Sequence, residues 1–250
     1  MIKVCVLGVG KVGIHLIHEC INNPFVDLIQ IYNRSVKGME LFKEMLPCTQ
    51  SILELKKADL YIIALPDSIL PTLDLNHLNG LVVHTSGTVP YASLKAKKRG
   101  VFYPPQSFTK EKKISFKQIP LCLETEFSTD YDLLDEFARK LSRVVYKVDQ
   151  AKRQKLHLAA VFANNFGNRV MGIAYEICQE NDLDFSILQP IIQETFLKAQ
   201  IFPPHVSQTG PALRGDEKTI QKHFSQLKGT DLEVYKILTK SIQEKHGTEL

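Results

Sequence analysis

The chain has 250 residues, of which 44% are hydrophobic and 23% are charged, so it can bury the core of one large domain or two modest ones. The formal net charge is +4, but the basic residues are scattered and do not alternate with aromatic residues, which excludes a typical nucleic-acid-binding protein. The five cysteines lie far apart without a C-x-x-C pair, which excludes a disulfide framework or a thiolate zinc site.

Neither a membrane nor a secreted location is indicated. Residues 2–7 enter directly into a strand pattern, without the basic segment and long apolar stretch of a signal peptide. No apolar window reaches the length of a transmembrane helix. We therefore expect a cytoplasmic protein with no membrane or nucleic-acid partner.

The first half of the chain alternates short apolar strands with helical patterns. Strands are predicted at IKVCVLG, DLIQIYN, DLYIIAL and LVVHT, and helical stretches at 11–22, 36–45 and 68–75 follow the first three. Further strands are predicted around 101–103, 119–124 and 144–148, with a helix at about 130–142. This alternation predicts an α/β fold, a Rossmann-like doubly wound parallel sheet with helices on both faces.

The pattern changes after Asp149, because the remaining residues show helical periodicity and no convincing strand. Helices are predicted at roughly 150–181, 186–201, 216–228 and 231–246, with N-caps at Ser186, Asp216 and Thr230. Pro203 and Pro204 stop the second of these helices. The sequence thus predicts a Rossmann domain over 1–149 and an all-helical substrate and dimerisation domain over 150–250.

A glycine-rich turn follows the first strand and opens the first helix. Gly8 permits a tight turn, Gly10 lets the backbone approach a pyrophosphate, and Gly13 lets the helix pack closely on the sheet. The helix amino end then offers free N–H groups to phosphates. We predict a dinucleotide site built from Gly8, Val9, Gly10, Lys11, Val12 and Gly13. The alternative is a turn that only connects a strand to a helix.

The end of the second strand indicates which dinucleotide binds. An NAD-binding protein usually carries a carboxylate here for the ribose 2′-hydroxyl, whereas this strand ends in Asn33-Arg34-Ser35. Asn33 and Ser35 can hydrogen-bond a 2′-phosphate and Arg34 can pair with it, which favours NADP (NADPH). The alternative is that Arg34 is an ordinary solvated cation.

Two further loops lie at the predicted ligand edge of the sheet. Leu65-Pro66-Asp67 ends one strand, and His84-Thr85-Ser86-Gly87 ends the next. Because ligands bind at the carboxyl edge of open α/β sheets, we expect the first loop and Ser86 to contact the cofactor, and Ser86 and Gly87 to contact the substrate. Pro66 and Gly87 are equally explained as ordinary turn residues.

The glycine turn, NRS at 33–35, LPDS at 65–68, HTSG at 84–87 and the helical second half resemble the superfamily of 6-phosphogluconate dehydrogenase, pyrroline-5-carboxylate reductase, ketopantoate reductase and prephenate dehydrogenase. YPPQSF, KLHLAAVFANNF and QTGPALRGD more closely resemble an uncharacterised bacterial family of proposed NADP oxidoreductases, which have a Rossmann domain and a helical domain of unknown function. The resemblance covers essentially the whole chain and implies this fold, this cofactor and a dimer through the helical domain.

The superfamily places a Lys or His and an Asn of the first helix of the second domain against the nicotinamide, and this chain offers His157, Asn164 and Asn165. His157 is a candidate proton donor, and either asparagine is a candidate for polarising the substrate heteroatom. Lys155 lies farther from the asparagines than the superfamily arrangement requires. The alternatives are a core histidine and an asparagine pair that satisfies backbone groups.

In the loop at 208–216, Arg214 is a candidate for binding an anionic substrate group, and an internal contact with Asp216 is the alternative. We expect no metal site. The combined expectation is an NADP-dependent oxidoreductase that transfers hydride to or from a small C=O or C=N substrate in an interdomain crevice, and that forms a homodimer. The rival is a non-catalytic NADP-binding sensor or structural protein, and a third candidate is an enzyme that passes hydride to another cofactor.

Overall fold

The structure, a computed structural model, describes residues 1–247. Its contacts divide the chain into two compact units, Met1–Asn165 and the residues from Phe166 onward. The division therefore falls after Asn165, whereas the sequence pattern changes at Asp149. The physical reason is that the helix following Asp149 packs on loops of the sheet through Arg153 and His157.

The first unit is built on one eight-stranded sheet, with the order β3-β2-β1-β4-β5-β6-β7-β8. The strands are β1 Ile2–Leu7, β2 Val26–Tyr32, β3 Cys48–Thr49, β4 Leu60–Ile63, β5 Leu81–His84, β6 Arg99–Tyr103, β7 Leu121–Thr125 and β8 Val145–Lys147. All pairs are parallel except β6 with β7. The predicted doubly wound α/β sheet is confirmed, with one reversal of direction and a short edge strand, β3, that the sequence pattern did not reveal.

The two faces of the sheet are covered differently. Helices α1 Lys11–Ile21 and α3 Ser128–Leu141 bury their apolar side chains, among them Leu16 and Phe137, on one face. The other face is covered by leucines such as Leu70 and Leu78 from loops and 3-10 turns. The helix predicted at 68–75 is one of these turns, Asp67–Thr72, with Pro71 inside it.

The helix predicted at 36–45 is much shorter, because α2 spans only Val36–Met39. The chain continues as separate turns, in which Phe42 N–H donates to the Met39 carbonyl and Leu46 N–H to the Phe42 carbonyl. Phe42 is fully buried. The apolar spacing that predicted a longer helix therefore reflects side chains that pack into the core from these turns.

The long helix predicted over 150–181 changes its winding in the middle. It consists of α4 Gln150–Ala160, a π-helical segment Val161–Phe166 and α5 Gly167–Glu180. The remaining helices are α6 Gln189–Ile201, α7 Pro211–Arg214, α8 Glu217–Phe224 and α9 Gly229–His246. The helical second half is confirmed, and the predicted first helix is confirmed in extent, with a π-helical middle that the sequence pattern did not indicate.

One of the three predicted N-caps is correct. Asp216 caps α8 by accepting from the backbone N–H of Thr219. Asp184, rather than Ser186, caps the 3-10 turn before α6, because its carboxylate accepts from Ser186 N–H at 2.8 Å. Thr230 lies inside α9, whose N-cap is Lys228 without a side-chain bond.

Within residues 1–247, every helix is too short or too polar to cross a lipid bilayer.

Candidate functional site

The glycine turn lies where the strand order of the sheet changes direction, between the carboxyl ends of β1 and β4. Gly8 has a φ of +109°, and a Cβ there would lie 2.5 Å from the Ala64 carbonyl oxygen. A Cβ on Gly13 would lie 1.9 Å from the Gly8 carbonyl oxygen. These two positions therefore exclude any side chain, and the turn brings α1 directly against the sheet.

Gly10 differs from the other two glycines, since a Cβ there would meet nothing closer than the Ala64 carbonyl oxygen at 3.8 Å. It is the N-cap of α1, which has no side-chain cap and no acidic residue in its first turn. The amino end of α1 therefore presents uncapped N–H groups and an open surface, a cradle that fits a pyrophosphate. Val9 is buried, Lys11 is exposed and Val12 packs against the core.

Asn33 braces this turn. Its side-chain oxygen accepts from Val9 N–H at 3.2 Å, and its amide nitrogen donates to the Ser35 carbonyl at 2.8 Å. Arg34 and Ser35 are exposed, and within residues 1–247 the Arg34 guanidinium has no carboxylate partner. The geometry thus gives Asn33 a bracing role and leaves Arg34 available to a ligand.

The loops after β4 and β5 are joined by hydroxyl groups. Asp67 accepts from the hydroxyls of Ser86 and Thr88, each at 2.8 Å. The Ser86 hydroxyl also accepts from the backbone N–H groups of Thr88 and Val89 at 3.1 Å. This hydroxyl is therefore committed to bonds within the loops. Leu65 and Pro66, predicted to contact the cofactor, lie in the chain leading to Asp67.

Helix α4 fixes this loop from the other side. Arg153, which is 0% exposed, donates to the Ser86 carbonyl at 3.1 Å and to the Glu124 carboxylate at 3.2 Å. Gln154 donates to the Thr88 carbonyl at 2.9 Å. The buried guanidinium is therefore matched by a carboxylate and a carbonyl, and it ties the loop to β7.

His84, at the end of β5, is a buried neutral imidazole. Its Nδ1 accepts from Ser86 N–H at 3.2 Å. Burial, followed by the positive charge of Arg153, lowers the pKa of His84 to about 4. The histidine is thus uncharged at neutral pH and supports the loop as a hydrogen-bond acceptor.

Tyr103 and His157 form a pair at the carboxyl end of β6. The Tyr103 hydroxyl lies 3.1 Å from His157 Nδ1, and the two rings meet edge to face. Burial raises the pKa of the Tyr103 hydroxyl, so it stays protonated. A Cβ on Gly87 would lie 2.5 Å from His157 Nδ1, which shows how closely the loop after β5 packs on the imidazole.

The pair opens on a cleft of about 300 Å³ that is also lined by Asn164 and Asn165. These asparagines lie in the π-helical segment, where the wider turn interrupts the angular spacing of an α-helix. Their side chains are exposed, and the Asn164 amide donates to the Asn165 carbonyl oxygen at 3.2 Å. The structure thus brings His157, Asn164 and Asn165, three candidates from the sequence, to one cleft.

Lys155 and Arg214 are the remaining cationic candidates. Lys155 is exposed and absent from the lining of the cleft. Arg214 ends α7 in the second unit, is exposed, and is in none of the ion pairs of residues 1–247. Asp216 is engaged instead with Thr219, which is the main cause of the lowered pKa of its carboxyl group.

Sequence reasoning missed Tyr103 and Arg153. Tyr103 ends β6 at the same sheet edge as the other loops, so the edge rule applied to β4 and β5 would have found it if extended to β6. Arg153 gave no comparable signal, because a single arginine in a polar helix start usually faces solvent.

We next compared the chain with known proteins. Residues 119–242 match the model of a family described as a domain of unknown function, DUF2520. A "putative NADP oxidoreductase" from Bacteroides fragilis is 32% identical, with 97% of this chain and 98% of that chain covered and a TM-score of 0.88. No curated protein sequence matches the chain.

More distant structures share the fold. Protein TM1727 from Thermotoga maritima is 22% identical, with 98% of both chains covered and a TM-score of 0.72. A Plasmodium falciparum pyrroline carboxylate reductase with NADP bound is 14% identical, with 96% of this chain and 98% of that chain covered and a TM-score of 0.62. Given the identity over nearly its whole length, this chain belongs to the family of the Bacteroides fragilis protein, with a Rossmann-like sheet and the DUF2520 region.

Proposed function

We propose that this protein is an NADP(H)-dependent oxidoreductase that transfers hydride to or from a small C=O or C=N substrate. The observation that carries the proposal is the Tyr103–His157 pair, which opens on a polar cleft at the same sheet edge as an uncapped glycine turn. The neighbouring oxidoreductase folds support the reaction class.

The residues at the glycine turn fit a dinucleotide. The uncapped N–H groups of α1 would hold the pyrophosphate, and the absence of a side chain at Gly10 lets it approach. Arg34, helped by Ser35, would pair with the 2′-phosphate that distinguishes NADP from NAD. When bound, the nicotinamide supplies or accepts the hydride.

The cleft residues would supply the proton and the polarising group. As an imidazolium, His157 would donate from Nδ1 to the Tyr103 hydroxyl oxygen and carry a second proton on Nε2. In the reductive direction this Nε2 proton goes to the substrate oxygen or nitrogen as the substrate carbon receives hydride, which leaves a neutral imidazole that takes its next proton from solvent. The amide groups of Asn164 and Asn165 hydrogen-bond that heteroatom, and both transfers reverse in the oxidative direction.

Fluorescence titration with NADPH and NADH tests the cofactor. We expect wild type to bind NADPH more tightly, and Arg34→Gln to lose about tenfold to a hundredfold in NADPH affinity, the value of a charge-assisted bond. NADH affinity of the variant should be nearly unchanged and serves as the internal control. Equal affinity for the two nucleotides would overturn the assignment of Arg34.

Turnover tests the chemistry separately. With a panel of keto acids, imines and hydroxy acids, we expect His157→Gln and Tyr103→Phe to reduce kcat while NADPH affinity is preserved. If wild type binds NADPH tightly but turns over no member of the panel, the non-catalytic NADP-binding protein becomes the better description.

We further propose that the protein is a cytoplasmic homodimer associated through its helical unit. The support is the large number of exposed apolar side chains on helices of that unit, including Ile191 and Ile201 on α6. A monomeric protein rarely leaves such a set exposed to water.

A further inference from the structure

The loop between β6 and β7 forms a second cavity beside the catalytic cleft. This cavity measures about 710 Å³, within the range of small-molecule sites. It shares Gln106 and Ser107 with the lining of the cleft that holds His157, so the two spaces have a common wall.

Four cationic side chains line this cavity, namely Lys112, Lys113, Lys117 and Arg143, and it is lined by no carboxylate among residues 1–247. None of the four forms an ion pair with a described carboxylate. They are joined there by hydroxyl and amide side chains that can donate hydrogen bonds, from Ser107, Thr109, Ser115 and Gln118. The cavity therefore carries a local excess of positive charge.

Glu111 and Glu19, two carboxylates associated with this loop, do not line the cavity. Glu111, the one carboxylate of the segment 104–120, is absent from the lining, and Glu19 of α1 accepts from the backbone N–H of Phe116. The positive field reaches α1, since the charge of Lys113 adds to burial in lowering the pKa of His18.

The loop that carries the lysines is anchored. Phe108 and Phe116 are buried in the core and stack on each other with ring centroids 5.7 Å apart. The ring of His15 on α1 packs on Phe108, and its Nε2 bonds the Thr109 carbonyl at 2.7 Å. Both ends of the segment that carries Lys112 and Lys113 are thus held by the core.

The reversal of strand direction at β7 places Lys117 and Arg143 at the edge of the sheet where β6 ends. Because β7 runs antiparallel to β6 and β8 runs parallel to β7, the segments that enter β7 and β8 lie at the edge where β6 ends. Lys117 precedes β7, Arg143 precedes β8, and Arg143 N–H donates to the Lys117 carbonyl at 3.1 Å. An all-parallel sheet would have left these segments at the opposite edge.

We propose that this cavity binds the anionic portion of the substrate, a phosphate ester or similar multiply charged group, while the reacting carbon lies in the adjoining cleft. The proposal rests on the proposed function, because it gives the C=O or C=N substrate an anionic tail. The common wall at Gln106 and Ser107 supplies the connection, and the unpaired cations supply the recognition.

Calorimetric titration of inorganic pyrophosphate into the full-length protein saturated with NADPH tests the anion site without turnover. NADPH blocks the glycine turn, so the remaining binding reports the cavity. We expect one site per chain, with Lys112→Gln/Lys113→Gln weakening it about tenfold or more, as expected for lost charge-assisted bonds. The matched control is Lys56→Gln/Lys57→Gln, which removes the same charge just before β4 at the opposite edge of the sheet.

Absence of pyrophosphate binding, or equal weakening in the two double variants, would overturn the proposal. A competition arm assigns the anion to the substrate: pyrophosphate should weaken the binding of glyceraldehyde 3-phosphate but leave that of NADPH unchanged. Simultaneous binding of pyrophosphate and glyceraldehyde 3-phosphate would contradict the substrate assignment. NADPH binding is measured first by fluorescence titration. A protein that does not bind NADPH contradicts the proposed function, and this result is distinct from a failure to bind pyrophosphate.

Discussion

Three glycines of one turn have three different reasons to lack a side chain. Gly8 needs its positive φ, Gly13 lies against the Gly8 carbonyl, and only Gly10 has room around its Cα. A sequence motif gives all three the same letter. The spacing of the glycines was enough to predict the turn. Which glycine is crowded and which has open space depends on the positions of the Ala64 and Gly8 carbonyl groups, which the sequence does not give.

This contrast separates stability from binding. Gly13→Ala should lower the free energy of unfolding by about 1–3 kcal/mol, because its Cβ must displace a backbone carbonyl. Gly10→Ala should leave stability nearly unchanged and weaken NADPH binding, since its Cβ occupies the open surface at the amino end of α1. Urea unfolding and fluorescence titration of both variants check this, and similar stability losses in the two would contradict it.

His84 makes stability depend on pH. Its folded-state pKa of about 4 lies below the ordinary 6.5, so the unfolded chain binds the proton more readily. Stability is therefore complete above about pH 6.5 and falls as the pH drops toward 4, with a loss of about 2 kcal/mol by pH 5. The lowered pKa of His18 acts in the same direction.

Urea unfolding of wild type and His84→Asn at pH 7 and pH 5 measures this effect. We expect the difference between the two pH values to be smaller in the variant, whatever its absolute stability. An identical pH dependence in both proteins would remove His84 as the cause.

At the scale of the element, α4 links the sheet to the cleft. The change of pattern after Asp149 predicted a helix starting near residue 150, and the structure begins α4 at Gln150, with Asp149 as its N-cap. The π-helical segment was not predictable in the same way, because AAVFANNF also fits α-helical periodicity.

Arg153 shows what α4 contributes to the loop after β5. Arg153→Met should destabilise the protein by about 3–5 kcal/mol, because it leaves Glu124 as an unmatched carboxylate and frees the Ser86 carbonyl. Arg139→Met, at the exposed Arg139–Asp135 pair on α3, removes the same type of side chain and should change stability little. Thermal unfolding compares the two, and equal shifts in Tm would argue against a structural role for the buried pair.

At the scale of the whole molecule, strand alternation was sufficient to predict the Rossmann-like sheet. The reversal at β7 was not predictable, because an antiparallel and a parallel strand have the same apolar pattern when both faces are buried. The division of the chain after Asn165 likewise depends on long-range contacts of α4 that no local pattern contains.

The proposed dimer has a direct test. Light scattering should give twice the chain mass of 28.3 kDa for wild type. Ile191→Glu/Ile201→Glu should shift the mass to that of the monomer, since these side chains are 63% and 71% exposed and a charge at a buried interface is costly. Leu53→Glu, at an 81% exposed side chain of the sheet unit, should leave the dimer intact. A monomeric wild type would refute the proposal.

The two outermost strands of the sheet, β3 and β8, have only two and three residues. Long unpaired edges invite other chains to add strands, and short edges offer them few backbone groups. On β8 the Lys147 ammonium lies 4.7 Å from the Tyr131 ring, which places a charge beside that edge. Both edges of the sheet thus offer few backbone groups for edge-to-edge aggregation. We expect two copies of the chain to associate through other surfaces.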